Sequence, residues 1–180
     1  MQIDLNSDLG EGFGPWSMGD DVAILDIVST ANIACGFHGG DPLTIHNTLQ
    51  LAAQHDVSVG AHPAYPDLVG FGRRSMALSS DEIIASLHYQ ISALDGMAKS
   101  AGLSLDYIKP HGALYNDMMA KSEVRLAIMQ AIADYQRPLP LMLQATPDAT
   151  SHRAEAGQLG LDLMFEVFAD RCYDDDGKLL

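Results

Sequence analysis

The chain has 180 residues, 47% of them hydrophobic and 19% charged, which is typical of one globular domain and not of a disordered chain. Acidic residues outnumber basic ones by 24 to 10, and the net charge of −14 disfavours binding to nucleic acid or to an anionic membrane surface. Residues 1–4 do not begin a signal peptide, no apolar run approaches the roughly 20 residues of a membrane span, and two cysteines form no disulfide framework, so we expect a cytoplasmic protein.

Apolar segments typical of β-strands alternate with amphipathic segments typical of α-helices along the chain. We predict strands at residues 3–8, 31–36, 57–62, 107–111, 139–144 and 163–170. We predict helices at residues 19–30, 42–56, 81–102, 123–135 and 147–160. Asp41 and Thr146 each precede a proline and are predicted helix caps, and Ser79 with Glu82 forms a capping-box pattern. This alternation predicts parallel βαβ units.

Two parallel architectures fit this alternation, an open doubly wound sheet and a closed βα-barrel. In a barrel, every second residue of a strand faces the interior. Five predicted strands carry polar residues on one alternating side toward their C-terminal ends, namely Asp4, Asn6 and Asp8; Asn32 and His38; Ser58 and His62; Lys109 and His111; and Glu166 and Asp170. An open sheet usually concentrates its site at one switch point, so this pattern favours a TIM-like barrel.

The length of the chain bears on how complete such a barrel is. A full eight-stranded barrel takes roughly 250 residues, and about six strands fit into this chain. No linker, low-complexity tract or short repeat divides the sequence. We therefore expect residues 1–180 to form a single βα-barrel domain that lacks its C-terminal units or is a smaller variant.

The first predicted strand runs into an acidic, glycine-rich turn. Asp4, Asn6 and Asp8 share the interior side, and Glu11 follows between two glycines. Carboxylates at the mouth of a barrel can hold a metal, act as a general base or bind an ammonium group. The alternative to a functional role is an ordinary polar turn whose carboxylates are hydrated. Polar groups within a strand are difficult to solvate, so we favour a functional role.

Three histidines lie at or just beyond predicted strand ends: His38, His62 and His111. Each can serve as an acid, a base or a metal ligand, whereas a hydrogen-bonded structural role is the common alternative for a single histidine. Lys109 shares the interior side of its strand, and a buried ammonium group is costly unless it is paired. The expected partner is one of three acids, Asp4, Asp8 or Glu166.

The long segment after the third strand carries two adjacent arginines and is expected to cover the mouth as a lid. Arg73 or Arg74 can clamp a carboxylate or phosphate through two parallel hydrogen bonds, and for at least one of them we expect an ordinary surface salt bridge. The sequence contains no Walker-type phosphate loop, dinucleotide fingerprint or nucleophile elbow. The remaining histidines are expected at surface or capping positions: His46, His55, His88 and His152.

Six segments together resemble the LamB/YcsF family and occur in that family's order. They are DLNSDLGE (4–11), ANIACGFH (31–38), GAHP (60–63), GFGRR (70–74), KPHGALY (109–115) and FADR (168–171). The resemblance implies a βα-barrel related to glycoside hydrolases and polysaccharide deacetylases. It also implies ATP-dependent opening of the 5-oxoproline lactam to L-glutamate, a hydrolase reaction performed with two partners, subunits B and C of 5-oxoprolinase.

The implied reaction needs cations near a phosphoryl group, a base for water and an acid for the departing nitrogen. The catalytic candidates are Asp8, His62, Lys109, His111 and Asp170. Among them, Lys109 with an arginine would bind anions, Asp8 or Asp170 would be the base or a metal ligand, and His62 or His111 would transfer protons. The candidate substrate-binding residues are Asn6, Glu11, His38, Arg73 and Arg74. Because no phosphate loop is present, we expect the partner subunits to contribute the ATP site or the phosphoryl-transfer step.

Two other functions fit the same residues. A divalent-metal-dependent hydrolase of an amide or acetylated sugar would bind its metal through Asp8, His38 and His62, as related deacetylase barrels suggest. The other function is that of a binding or regulatory subunit without turnover of its own. The expected cofactor is ATP, with Mg²⁺ as its companion and a further divalent metal in the first alternative.

Overall fold

The computed structural model describes residues 3–174 and residue 177, and in that part of the chain one or two helices follow each strand but the last, giving six strands and six helices. The strands are β1 (Asn6–Leu9), β2 (Thr30–Ala34), β3 (Ser58–His62), β4 (Leu105–Ile108), β5 (Leu141–Gln144) and β6 (Leu163–Glu166). The helices are α1 (Asp21–Leu25), α2 (Pro42–Gln54), α3 (Ser80–Ser100), α4 (Gly112–Ala120), α5 (Ser122–Ala133) and α6 (Ala149–Gln158). Each predicted strand overlaps an observed one.

The strands form one parallel sheet in the order β1-β2-β3-β4-β5-β6. A doubly wound sheet reverses its strand order at a switch point, so the sequential order excludes that architecture. The sheet curls until its first and last strands meet across the interior, where the Asn6 amide donates to the Glu166 carboxylate at 3.3 Å. The fold is therefore an α/β half-barrel consistent with a TIM-like fold. It remains a prediction that residues 1–180 form one domain that lacks its last βα units.

Apolar residues on the outward side of the strands pack against the helices. Ile33, Val59 and Ile108 are fully buried there, together with Leu49 of α2 and Leu87 of α3. This arrangement leaves the interior of the curl to polar side chains. None of the helices formed by the described residues combines the length and the apolar character that a membrane crossing requires. The expected cytoplasmic location stays a prediction.

Two of the predicted helix starts are confirmed by hydrogen bonds. The Asp41 side chain accepts two backbone N–H groups at the start of α2, and Ser79 with Glu82 forms the capping box of α3. The predicted cap at Thr146 is wrong, because Asp148 is the N-cap of α6.

The prediction misses helix α4 and misplaces His152. Helix α4 is absent from it, because the segment after β4 lacks a capping signal, and His111 at its N-cap makes no side-chain cap hydrogen bond. The expected surface position of His152 is wrong, since this residue is only 4% exposed. His88 is half-buried and donates from Nε2 to the Ala131 carbonyl at 2.8 Å. Both histidines face the protein rather than the solvent.

A buried carboxylate, Asp95, ties α3 to the segment that follows α5. It accepts hydrogen bonds from Lys99 Nζ at 2.7 Å, from Tyr135 Oη at 3.0 Å and from Arg137 at 3.4 Å. Burial acts to raise the pKa of this carboxyl group, but the donors outweigh burial and the pKa lies below its ordinary value. Asp95 therefore stabilises the fold only while it is ionised.

The stability of the chain is expected to depend on pH through Asp95. A carboxyl group with a depressed pKa in the folded state contributes fully above its unfolded pKa of about 3.9 and loses that contribution as the pH falls through the folded pKa. The Asp95→Asn variant should lose about 1–3 kcal/mol of unfolding free energy at neutral pH. Urea unfolding should show this difference shrinking in acid. A constant difference from neutral pH down into acid would contradict the assignment.

Candidate active site

Polar side chains from β1, β2 and β4 form a hydrogen-bonded layer inside the curl. Asn32 donates to Asn6 Oδ1 at 2.7 Å and to Asp8 Oδ1 at 2.8 Å, and it accepts from Tyr107 Oη at 2.6 Å. Gly60 of β3 faces the same space, and a Cβ at this position would lie 2.3 Å from the Tyr107 ring. The side predicted to face the interior therefore does so on each of these strands.

Lys109 lies between two carboxylates at this end of the sheet. Its Nζ is 3.3 Å from Asp8 Oδ1 and 3.2 Å from Glu166 Oε2. The side chains of Lys109 and Glu166 are each 6% exposed, so this ion pair is shielded from water. Asp4 is not a partner of Lys109. It is exposed before β1 begins, and its carboxylate accepts a hydrogen bond from Ser29.

Asp8 keeps its negative charge in this setting. Burial acts to raise its pKa, but the charges of His62 and Lys109 and the hydrogen bond from Asn32 lower it well below the ordinary value. The side chain is 38% exposed, and its Oδ2 lies 3.3 Å from His62 Nε2. An ionised carboxylate with one side open to a cavity can accept a hydrogen bond from a water molecule bound there.

The three predicted histidines meet at one point together with Glu11. The rings of His38 and His111 stack with their centroids 3.7 Å apart, and His62 meets His111 edge-on at 4.8 Å. Glu11 Oε1 lies 2.9 Å from His38 Nε2 and 3.4 Å from His111 Nδ1. One ligand atom from each of the four residues lies within 4.8 Å of the others, which is a spacing that can hold a metal ion. Asp8, also predicted as a ligand, lies beside this group.

Two backbone carbonyl groups fix the positions of protons in the cluster. The Lys109 carbonyl lies 2.7 Å from His62 Nδ1, and the Phe71 carbonyl lies 2.9 Å from His111 Nε2. Because a carbonyl oxygen only accepts, each of these ring nitrogens carries a proton. Burial also lowers the pKa of His38 and of His111 to about 3, so both rings are neutral at neutral pH.

The segment between β3 and α3 covers the histidine cluster. Gly72 approaches it with a φ of +64°, and a Cβ there would lie 2.8 Å from both His38 Cβ and His111 Cδ2. Glycine is therefore required at this point of closest approach. The Gly72 carbonyl accepts from the Ala113 N–H at 2.9 Å, which fastens the segment to the start of α4.

The two adjacent arginines have different partners. Arg74 Nε lies 3.0 Å from each oxygen of Asp67, while the Arg74 side chain is 66% exposed. This is the surface salt bridge expected for at least one of the pair. Arg73 lines the cavity beside His111, with its guanidinium carbon 5.5 Å from the centroid of the Phe71 ring. Arg73 is thus the arginine placed to meet an anion in the cavity.

The cavity at the mouth of the sheet has a volume of about 550 Å³, within the range of small-molecule sites. Its acidic, basic and histidine lining residues are Asp8, His62, Arg73, Lys109, His111 and Arg171. A neighbouring pocket of about 350 Å³ shares Asp8 and Lys109 and is also lined by Asn6, Glu166 and Asp170. Asp170 itself is exposed in the turn after β6.

Tyr115 lines the cavity and is missing from the candidates chosen from the sequence. It lies on α4, is 5% exposed, and its pKa is raised by burial and by the charge of Glu166. The helical spacing of the buried residues Leu114 and Met118 is the signal that could have placed Tyr115 on a helix beside the site. Asn32 was placed on the interior side of its strand from the sequence, but without a role.

A curled parallel sheet with acids, a lysine and histidines at the C-terminal ends of its strands defines the TIM-like α/β class, in which sites lie at that end. The chain belongs to the LamB/YcsF family, whose model matches residues 3–180. The resemblance seen in the six sequence segments is thereby confirmed.

Several known proteins are similar to this chain over nearly its whole length. It is 53% identical over 176 residues to the 5-oxoprolinase A subunit of Pseudomonas fluorescens (strain Pf0-1), covering 98% of this chain and 70% of that protein. It is 52% identical over 178 residues to the 5-oxoprolinase A subunit numbered 3 of Pseudomonas aeruginosa, covering 99% and 71%. The crystal structure of a lactam utilization protein from Thermus thermophilus matches with a TM-score of 0.92 and 46% identity, covering 99% of this chain and 71% of that one.

Proposed function

We propose that this chain is the A subunit of an ATP-dependent 5-oxoprolinase, which opens the 5-oxoproline lactam to L-glutamate. The names of its relatives support this assignment. The observation that carries it is the cavity in which Lys109 and Arg73 lie beside the ionised Asp8. We further propose that the half-barrel is part of a βα-barrel of the glycoside hydrolase and deacetylase kind.

The charges of the cavity suit a small anionic lactam. 5-Oxoproline carries one carboxylate and one ring amide, so it needs a cation for the acid and a donor for the amide oxygen. Arg73 offers a planar guanidinium group for the carboxylate. Lys109, held in place by Asp8 and Glu166, offers an ammonium group for the lactam oxygen, where negative charge develops during hydrolysis.

Asp8 is the proposed general base. A lactam resists water because its amide is stabilised by resonance, and ATP would supply the activation of its oxygen. Asp8 would then take a proton from the attacking water. Asp8 is preferred to Asp170 because it contacts Lys109 and lines both pockets. His62 and His111 each commit one nitrogen to a backbone carbonyl, and their other nitrogens face each other at 3.0 Å, so we do not assign them the proton transfer.

We propose that subunits B and C supply the ATP site, with Mg²⁺ accompanying the nucleotide, since the sequence has no phosphate loop. The test is to measure 5-oxoproline-dependent ATP hydrolysis by the chain alone and with both partners. Activity that needs the partners is expected. Full activity of the chain alone would contradict the shared site, and amide or acetyl-sugar hydrolysis without ATP would favour the metal-dependent hydrolase instead.

A further inference from the structure

We infer that Glu11, His62 and His111 form a binding site for one divalent transition-metal ion of the zinc class. The inference goes beyond the proposed function, because it rests on the geometry of these side chains and not on lactam chemistry. Two imidazole nitrogens and one carboxylate oxygen are a ligand set that zinc uses in sites with one open coordination position.

The facing nitrogens of His62 and His111 need a cation between them. The carbonyls of Lys109 and Phe71 hold the proton of each ring on the far nitrogen. When His62 is neutral, its Nε2 and His111 Nδ1 therefore present two lone pairs to each other at 3.0 Å. Two lone pairs at this distance repel unless a cation lies between them. Backbone carbonyls on the far nitrogens are also the usual partners that orient metal-binding histidines.

Two of the three separations between the donor atoms match one coordination sphere, and the third, between Glu11 and His62, is within 4.8 Å. Zinc bonds of roughly 2.0–2.1 Å place tetrahedral ligand atoms roughly 3.3 Å apart. His62 Nε2 and His111 Nδ1 are 3.0 Å apart, and Glu11 Oε1 is 3.4 Å from His111 Nδ1. The planes of the two rings cross at 83°, so one ion can lie in both planes, where the lone pairs point.

His38 is a positioning residue in this site and not a ligand. Its ring lies parallel to that of His111, with an angle of 7° and centroids 3.7 Å apart. An ion in the plane of His111 therefore cannot also lie in the plane of His38. His38 Nε2 instead donates to Glu11 Oε1 at 2.9 Å and orients that carboxylate. Of the set Asp8, His38 and His62 named from the sequence, only His62 is retained.

Zinc binding by the chain alone, without lactam, ATP or partners, tests this inference. The protein is stripped with a chelator and dialysed against buffered Zn²⁺, and bound zinc is measured by elemental analysis. We expect one zinc per chain, and binding weakened more than about 100-fold in Glu11→Gln and His62→Ala, beyond the effect of an outer-shell change. The matched control His46→Ala removes an exposed histidine of α2 and should bind zinc as the wild type does.

Two results would overturn the inference. One is a folded wild-type chain that takes up no zinc, which would mean that a proton occupies the space between the rings. The other is zinc binding unchanged in both ligand variants. If circular dichroism shows that His62→Ala does not fold, the nearly isosteric Glu11→Gln decides alone. Neither result bears on lactam opening, whose failure would appear as absent turnover in the complex.

Discussion

Replacing Lys109 by methionine is expected to lower the free energy of unfolding by about 3–5 kcal/mol. The change keeps an apolar stem but removes the ammonium group that lies 3.3 Å from Asp8 and 3.2 Å from Glu166. Glu166, with 6% of its side chain exposed, is then a buried carboxylate without this counter-ion. Removing the counter-ion of a buried carboxylate lowers the free energy of unfolding far more than breaking a surface ion pair does. Urea unfolding of both proteins measures the difference.

The double variant Lys109→Met with Glu166→Gln is the matched control for this effect. Glutamine replaces the stranded carboxylate with a neutral group of the same shape, so about half of the lost unfolding free energy should return. A single variant as stable as the wild type would contradict the buried ion pair, as would a double variant no more stable than the single. In the reconstituted enzyme both variants should lose roughly 100-fold or more in turnover, because Lys109 meets the developing charge.

The second large effect is expected from Gly60→Ala in β3. A Cβ at this position would lie 2.3, 2.5 and 2.6 Å from three atoms of the Tyr107 ring. The ring is 1% exposed and its hydroxyl is bonded to Asn32 at 2.6 Å, so it has no free space into which to turn. Overpacking costs about 1–3 kcal/mol, and we expect the upper end of that range because the ring and the strand must both shift.

Gly96→Ala in α3 makes the same chemical change at a position without neighbours. Nothing lies within 4 Å of a Cβ built there, and the residue is exposed within a helix. Alanine should therefore raise the free energy of unfolding by about 0.5–1 kcal/mol. Urea unfolding of the two variants should give effects of opposite sign. A Gly60→Ala variant as stable as the wild type would contradict the tight contact with Tyr107.

The alternation of side chains identified the interior of the half-barrel within the strands and at Lys109, which directly follows β4 and continues its pairing with β3. Asp8, Lys109 and Glu166 were placed on the interior side from the sequence, and they meet there. Asp4 lies before β1 and Asp170 lies after β6, where the alternation no longer applies, and both are exposed. The period of two is a property of the extended strand, so it cannot be carried into the adjoining turns.

Residues in loops could not be placed by the same argument. Glu11 was expected to bind substrate, yet the backbone around it turns the carboxylate onto His38 and His111. The choice between Arg73 and Arg74 depended on the position of Asp67, which the fold of the covering segment determines. Such contacts arise from the conformation of irregular segments, for which the sequence offers no period to read.

The turnover of the reconstituted complex with Asp8→Asn tests the central claim most directly. Glutamate formed from 5-oxoproline is measured with ATP and both partner subunits, and Asp162→Asn, at an exposed position before β6, serves as the matched control. If Asp8 is the base, its variant should lose roughly 100–10,000-fold in turnover, while the Asp162 variant keeps wild-type turnover. Equal turnover in all three proteins would contradict an active site at the mouth of this sheet and leave the chain a binding role.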